Sequence, residues 1–524
     1  MSTTRAVWLF LIALTAIRLA LLNAAELSPD EAYYWMWSQR LAPAYFSKGP
    51  GVAFVIRSST ALFGDSEFGV RFWSPIFAAG TSLLLFYFAR RLFSEAAGFW
   101  TVIALNVTPI FNLGSFVLTI DPLSIFFWVA AFYTFWLALE RSPEFSWWWP
   151  LTGLLIGLGF LCKYTNALEL VSILLVLALV PRLRREFVRL NLYSLGTVFV
   201  LCTIPPIVWN SQHAWITIDH LKSRGSLESA PGFHPLEFFS FLGVHFATYS
   251  PLLFLALAWA VIASWRRARE QFKILFLLWF GLPVFLFYAL LSINKAAAPN
   301  WDGLAFLSLA LLAITYWRER AMARPSVKKW AAAAFAIGLA MSVLMLGFLT
   351  NENGFERRRH DPVDRLRGWQ ATADAVAEVR RDFETRTGQK VFLIADERDR
   401  AAELAFYLPN ERVEGPGRPP VYIPESQDMV NEFSFWPRYD EFVPLPPNAV
   451  RDPNDVYTEE QGVNLFVGRT ALYFQEGAKT RPPRSIFGGF TRVEPLSTIE
   501  VRAGGRLLRK LRVWACYNYR TLPL

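Results

Sequence analysis

Cysteine is scarce in this chain, with three in 524 residues. Cys162 and Cys202 fall inside apolar runs and Cys516 stands alone near the C-terminus. That usage excludes a disulfide framework and a cysteine-based zinc site in the C-terminal part. No Gly-rich phosphate loop, no HExxH helix and no nucleophile elbow occurs, so P-loop, zincin and α/β-hydrolase chemistry are set aside. Charged residues are few, at 18%. The excess of 52 Lys and Arg over 43 Asp and Glu gives a net charge of +9. No basic face on a soluble module accompanies that excess, so a nucleic-acid partner is not expected.

What is abundant is apolar residues, at 54%, with 46 Phe and 21 Trp. The apolar runs recur at membrane-span length, which argues for a polytopic helical bundle. About eleven spans are expected, at 6–24, 70–89, 96–113, 122–139, 146–162, 164–181, 191–209, 238–264, 272–292, 303–317 and 330–349. Lys and Arg cluster in every second loop: Arg90-Arg91, Arg141, Arg182 to Arg189, Arg266 to Lys273 and Arg318 to Lys329. By the positive-inside rule that side is the cytoplasm. The N-terminus is then inside, and an odd span count places the C-terminus outside. The first run is longer than a signal-peptide core and is expected to be retained as a helix.

Residues 1–349 are therefore expected to form a membrane domain and 350–524 an extracytoplasmic one of α/β or α+β type. Helical periodicity covers 369–385 and 401–408, and strand character marks 391–395, 420–423, 463–467 and 511–516. Gly415-Pro416-Gly417 reads as a turn.

Candidate chemistry gathers in the outer loops. Asp30 and Glu31 lie just past the first apolar run, where a carboxylate is costly beside lipid and so suggests function. The aromatic stretches 32–37 and 52–56 read as short interfacial helices. Between them, Tyr45 to Gly51 is a turn carrying Lys48. Asp121 precedes Pro122 at a helix start and is expected to cap it. The loop 210–237 holds Arg224 and has the composition of a substrate lid. The loop 293–302 holds Lys295, Asn300, Trp301 and Asp302, while Lys163 sits at a helix junction and His245 inside a span. Carboxylates can take a proton from a hydroxyl, cations can hold a phosphate, and aromatic faces can stack on a sugar ring. Each residue also has a plainer reading: capping for the acids, lipid-headgroup contact for Lys48, Lys163, Lys295 and Arg224, and core packing for His245.

The segments Asp30-Glu31-Ala32-Tyr33-Tyr34, Tyr45-Phe46-Ser47-Lys48-Gly49-Pro50 and Leu62 to Arg71 resemble integral-membrane glycosyltransferases of the GT-C fold. The bacterial branch of the protein O-mannosyltransferase superfamily is the part resembled, with the lipid A aminoarabinose transferases and the rhizobial galacturonosyl transferases as relatives. Leu118 to Leu123, Gly157 to Thr165 and Asn300-Trp301 fit the same pattern. The resemblance implies a polyprenyl-phosphate sugar donor, a hydroxyl acceptor, and inversion at the anomeric carbon. It implies catalytic roles for Asp30, Glu31 and Asp121. It implies donor-phosphate binding by Lys48, joined by Lys295 and Arg224, with Tyr33, Tyr34, Lys163, His245, Asn300 and Trp301 as substrate-pocket candidates. Two departures stand out. Many relatives have Glu where Ser47 stands, and one branch associates that Glu with a metal, so a divalent metal is in doubt here. Relatives tend to have Pro where Asp302 follows the Asn-Trp pair. No nucleotide cofactor is expected. Two other classes compete: a transporter of an anionic or sugar-linked lipid, against which no internal repeat or broken mid-membrane helix is seen, and a non-catalytic envelope assembly subunit, which would not turn over a donor.

Overall fold

The computed structural model describes residues 2–224, 232–351, 364–408, 418–442, 457–458, 462–477, 481–503 and 506–520. The chain divides into two compact units. The first comprises Met1–Asn23 and Leu41–Gly347, and the second Ala24–Arg40 and Phe348–Leu524.

The first unit is helical. Among the described residues six helices are long and apolar enough to cross a membrane: Thr3–Ala20, Glu67–Leu92, Ile120–Arg141, Leu190–Gln212, Phe272–Leu291 and Pro325–Thr350. Two bent pairs raise that number to as many as eight. Two of the eleven expected spans are interrupted, each at a local signal. The expected span 238–264 breaks at Ser250-Pro251, where Ser250 takes a φ of 74° and the flanking helices meet at 115°. The expected span 96–113 is interrupted at Thr108-Pro109, between helices Glu95–Asn106 and Pro109–Gly114. Proline removes a helix donor and clashes with the preceding turn, so an apolar run with an internal proline need not be one straight rod.

Lipid is as apolar as a leucine side chain, so helices in such a bundle associate through close packing rather than through the hydrophobic effect. Helix Trp148–Cys162 shows this: a Cβ on Gly153 would lie 2.2 Å from the Leu195 carbonyl oxygen, and one on Gly157 would lie 2.5 Å from the Cys202 Cβ. The two glycines, four residues apart, let this helix lie directly against Leu190–Gln212. Elsewhere aromatic rings fill the bundle, with Trp128, Phe132, Phe135, Trp149 and Phe276 fully buried.

The second unit holds a four-stranded mixed sheet. Its strands are β1 (Val391–Ala395), β4 (Thr470–Glu476), β5 (Phe490–Ala503) and β6 (Arg506–Tyr519), in the order β1-β4-β6-β5. Strands β2 (Tyr457–Thr458) and β3 (Gly462–Val463) pair separately. β1 runs parallel to β4, with Val391 opposite Thr470, and the other two pairings are antiparallel. Every residue of β1 is buried, as a parallel strand covered on both faces requires. Helices Trp369–Thr387 and Arg398–Tyr407 fall where the periodicity places them. Segment 420–423 forms no strand and contributes a single bridge, Tyr422 to Ile394. The Gly415-Pro416-Gly417 turn lies outside the described residues.

The stretch Ala24–Arg40 is built into this unit. The Glu26 carboxylate accepts from the backbone N–H groups of Trp369 and Gln370, at 2.8 and 2.9 Å, and so caps helix Trp369–Thr387 from far away in sequence. The Tyr407 hydroxyl accepts from the Leu27 N–H at 2.7 Å. Helix Pro29–Ser38 was expected to lie free on a membrane surface. Its aromatic residues are instead covered by protein: Tyr33 stacks on Phe433 at 6.2 Å and Trp35 meets Phe406 edge-on at 5.0 Å.

Candidate active site

Two sets of expected site residues occur, one in each unit. In the second unit, helix Pro29–Ser38 starts with a capping box. Glu31 Oε2 accepts from both the backbone N–H and the hydroxyl of Ser28, at 2.9 and 3.0 Å, and the residue is fully buried. Its carboxylate is thereby engaged in starting the helix. Asp30, one residue earlier, is exposed at the same helix N-terminus and within electrostatic range of Arg398. The Tyr33 hydroxyl accepts from the Glu432 N–H at 2.7 Å, and Arg398 lies 4.9 Å over the Tyr33 ring. Tyr34 is buried against Trp37.

In the first unit a polar network joins segments far apart in sequence. Asp121 does not cap its helix. Thr119 is the N-cap, accepting from the Asp121 N–H at 3.3 Å, and this leaves the Asp121 carboxylate free to reach other elements. Lys163 Nζ donates to Asp121 Oδ1 at 2.8 Å and Asn300 Nδ2 donates to Asp121 Oδ2 at 2.9 Å. Lys163 Nζ also reaches the carbonyl oxygens of Asn300 and Trp301, at 2.8 and 3.4 Å. Both charged side chains are largely shielded, Lys163 at 10% and Asp121 at 17% exposure. At such exposure, losing one partner strands the other, at a cost of about 3–5 kcal/mol.

Lys48 joins from the turn before helix Gly51–Phe63. Tyr45 and Lys48 exchange backbone hydrogen bonds, at 3.0 and 3.3 Å, which closes the turn. Its glycines let it approach the end of the helix carrying Lys163: a Cβ on Gly49 would lie 2.2 Å from the Leu161 carbonyl oxygen, and one on Gly51 would lie 2.5 Å from Cys162 Sγ. That packing brings the Lys48 ammonium within electrostatic range of Asp121. Helix Ile216–Arg224 borders the same region, with His220 against Phe46 at 4.8 Å and Arg224 over the Trp301 ring at 5.6 Å. Of the expected lid, residues 225–231 lie outside the described set. Lys295 is exposed, and none of its described side-chain contacts ties it to this network.

Beneath the network, His245 is fully buried. Its Nδ1 lies 2.7 Å from the Phe241 carbonyl oxygen and its Nε2 lies 2.8 Å from Asp302 Oδ1. Burial pushes the Asp302 carboxyl above its ordinary range, with His245 pulling the other way. Tyr249 and Tyr288 both lie within electrostatic range of Asp121 and Asp302. Sequence reasoning noted Asp302 in the loop 293–302 and as a departure from a pattern, and gave neither it nor Tyr288 a role. The sole signal for Asp302 was a carboxylate directly after Asn300-Trp301. Among the described residues no three His, Cys, Asp or Glu side chains converge as a metal-binding set.

Comparison with known proteins follows the same lines. Residues 47–209 match the family described as dolichyl-phosphate-mannose-protein mannosyltransferase. A lipid A galacturonosyltransferase of Rhizobium johnstonii is 26% identical over 426 residues, covering 80% of this chain and 86% of that protein. An undecaprenyl phosphate-alpha-4-amino-4-deoxy-L-arabinose arabinosyl transferase of Serratia proteamaculans is 27% identical over 346 residues, and the chain spans 60% of its length. The crystal structure of ArnT from Cupriavidus metallidurans bound to undecaprenyl phosphate superposes with a TM-score of 0.64 at 17% identity, covering 98% of each chain. The apo form of that protein gives 0.61. These matches bear out the resemblance read from the sequence. The structural likeness shows the fold, a polytopic GT-C helical bundle followed by a C-terminal sheet domain.

Proposed function

We propose that this chain, with the fold of the GT-C glycosyltransferases, moves a sugar from a polyprenyl-phosphate donor to a hydroxyl acceptor on the outer face of the inner membrane, with inversion. The observation that carries the reading is the network of Asp121, Lys163 and Asn300, with Lys48 and Arg224 beside it. It gathers cations around a shielded carboxylate, in a fold shared with a protein solved with undecaprenyl phosphate bound.

The reaction is read as a direct displacement. A phosphate leaving group departs more readily when preorganised cations neutralise the charge that builds on it. Lys48 fills that role, with Arg224 and Lys295 as further phosphate contacts. Lys163 is largely spent on Asp121 and two carbonyl groups, so it sets the shape and charge of the pocket. Asp121 orients the cations, and Asn300 and Trp301 line the pocket with Tyr249. Asp30, exposed and at a helix N-terminus, takes the acceptor proton. Glu31 holds the helix start that carries Asp30. Tyr33 and Tyr34 support the same helix from within the fold.

About eleven membrane crossings, an N-terminus in the cytoplasm and the domain 350–524 outside remain part of this reading, supported by the alternating basic loops. Lipid A is the acceptor class in this reading, by likeness to the lipid A galacturonosyltransferase of Rhizobium johnstonii. The sugar is a hexose or pentose derivative.

The test is sugar transfer by purified protein in lipid, with a panel of polyprenyl-phosphate sugars and Asp30→Asn alongside. Wild type should consume one donor, and the variant should lose about 10²–10⁴-fold in rate, the range for a general base. No turnover of any donor, with Asp30→Asn supporting growth phenotypes like wild type, would move the assignment to a lipid transporter or an assembly subunit.

A further inference from the structure

The three consecutive residues Asn300, Trp301 and Asp302 tie five separate elements to the start of helix Gly303–Ala323. Asn300 binds Asp121 with its side chain and Lys163 with its carbonyl group. Trp301 lies under Arg224 and meets Tyr288 edge-on at 6.0 Å. Asp302 reaches back to His245 on helix Pro235–Thr248 and then starts helix Gly303–Ala323. The imidazole that receives it lies beside the stacked pair Tyr249 and Phe306, with ring centroids at 5.6 and 5.4 Å.

The state of this contact follows from its hydrogen bonds. A carbonyl oxygen can only accept, so His245 Nδ1 carries a proton toward Phe241. In a neutral imidazole Nε2 is then a bare acceptor. It faces a carboxyl oxygen at 2.8 Å, with both side chains fully buried. Two lone pairs do not meet at that distance, so one proton lies between them. Whether it is written on the acid or on the ring, the pair is neutral as a whole. Asp302 Oδ2 has no hydrogen-bond partner among the described residues, so the Oδ1–Nε2 contact is what ties the carboxyl group to another element.

We propose that Asp302 and His245 are positioning residues: a buried, charge-neutral acid–imidazole pair that locks the 300–302 strap and, through its two carbonyl groups and the Asn300 amide, fixes Lys163 and Asp121. The lock adds no net charge beneath the network, so among the described residues Asp121 is left as the single carboxylate bonded to Lys163. The role in transfer rests on the glycosyltransferase reading. The lock itself does not.

The test pairs a chemical readout with a kinetic one, on full-length protein in detergent. Acetylation of Lys163 by an amine-reactive reagent is followed by mass spectrometry of its peptide. Asp302→Ala should raise the labelling rate several-fold. Asp302→Asn should keep it near wild type, because the amide N–H can donate to Nε2 of the neutral ring. If Asp302→Ala does not fold, Asp302→Ser, which is too short to reach His245, takes its place. In sugar transfer, the Ala or Ser variant should lose about tenfold or more in kcat with a smaller change in donor KM, and Asn should recover most of it. Unchanged Lys163 labelling in a folded Ala or Ser variant overturns the proposal. So does an Asn variant that labels as fast as Ala. A wild type that turns over no donor defeats the glycosyltransferase reading, while the labelling still decides the lock.

Discussion

Among the carboxyl groups that the two units shield, Asp121 and Glu425 are treated differently. In the membrane unit Asp121 has a cation on one oxygen and an amide donor on the other. In the C-terminal unit Glu425 has no such cation bonded to it among the described residues: its bond comes from the neutral Tyr519 hydroxyl, and nearby Arg438 is spent on Asp440 at 2.5 Å. Burial therefore pushes the Glu425 carboxyl up to about 8. A buried acid with an expensive, long-range cation partner is hard to explain by packing. A buried acid that is comfortable when protonated behaves as one more polar core group. The first arrangement points to chemistry and the second to folding.

The comparison breaks most sharply at Lys163. Lys163→Met leaves Asp121 shielded without its cation. It should cost about 3–5 kcal/mol of stability and lower transfer by about 10²–10³-fold, read by thermal unfolding and by donor consumption. Adding Asp121→Leu should restore most of the stability and none of the transfer, because a neutral pair packs but does no electrostatic work. Recovery of both together would make the pair merely structural.

Gly49→Ala tests whether the turn carrying Lys48 must sit where it does. The new Cβ would meet a backbone oxygen that cannot rotate away. The turn must shift, and a displacement of about 1 Å at a reacting group can lower rate by about 10²-fold. The loss should appear in transfer with little change in unfolding temperature.

The Glu425 effect is on stability alone and is spread over a pH range. A carboxyl group whose folded pKa is raised from 4.5 to about 8 keeps its full contribution below about pH 4.5 and loses it as pH rises through about 8. Stability of the C-terminal unit should fall by up to about 1.4 kcal/mol per pH unit across that window. Glu425→Gln should flatten that slope. A wild-type unfolding curve already flat from pH 5 to 8 would show that the acid is solvated.

Much of the fold was legible because its signals are local. Span-length apolar runs need no partner to be recognised, and the alternation of helices and strands after residue 364 follows from periodicity. Legibility ended at proline breaks, where run length alone cannot say that Ser250-Pro251 turns a span through 115°. It ended also at β4 and β5, whose mixed composition gives no clear period. At the site, the residue types and loops were readable, but their partners were not: Asp121 and Glu31 look alike as acids at helix starts.

By itself the sequence determined a polytopic membrane chain, its basic-loop alternation, its C-terminal domain and the short list of acids and cations outside the spans. These depend on composition and on neighbours within a few residues. Only the tertiary structure decided that Glu31 closes a capping box while Asp121 crosses to Lys163 and Asn300. Only it showed that Ala24–Arg40 folds with the C-terminal unit and that Asp302 finds His245 fifty-seven residues away. Those pairings depend on which helices pack together, and that is set by close approaches such as Gly49 against Leu161, which no local pattern encodes.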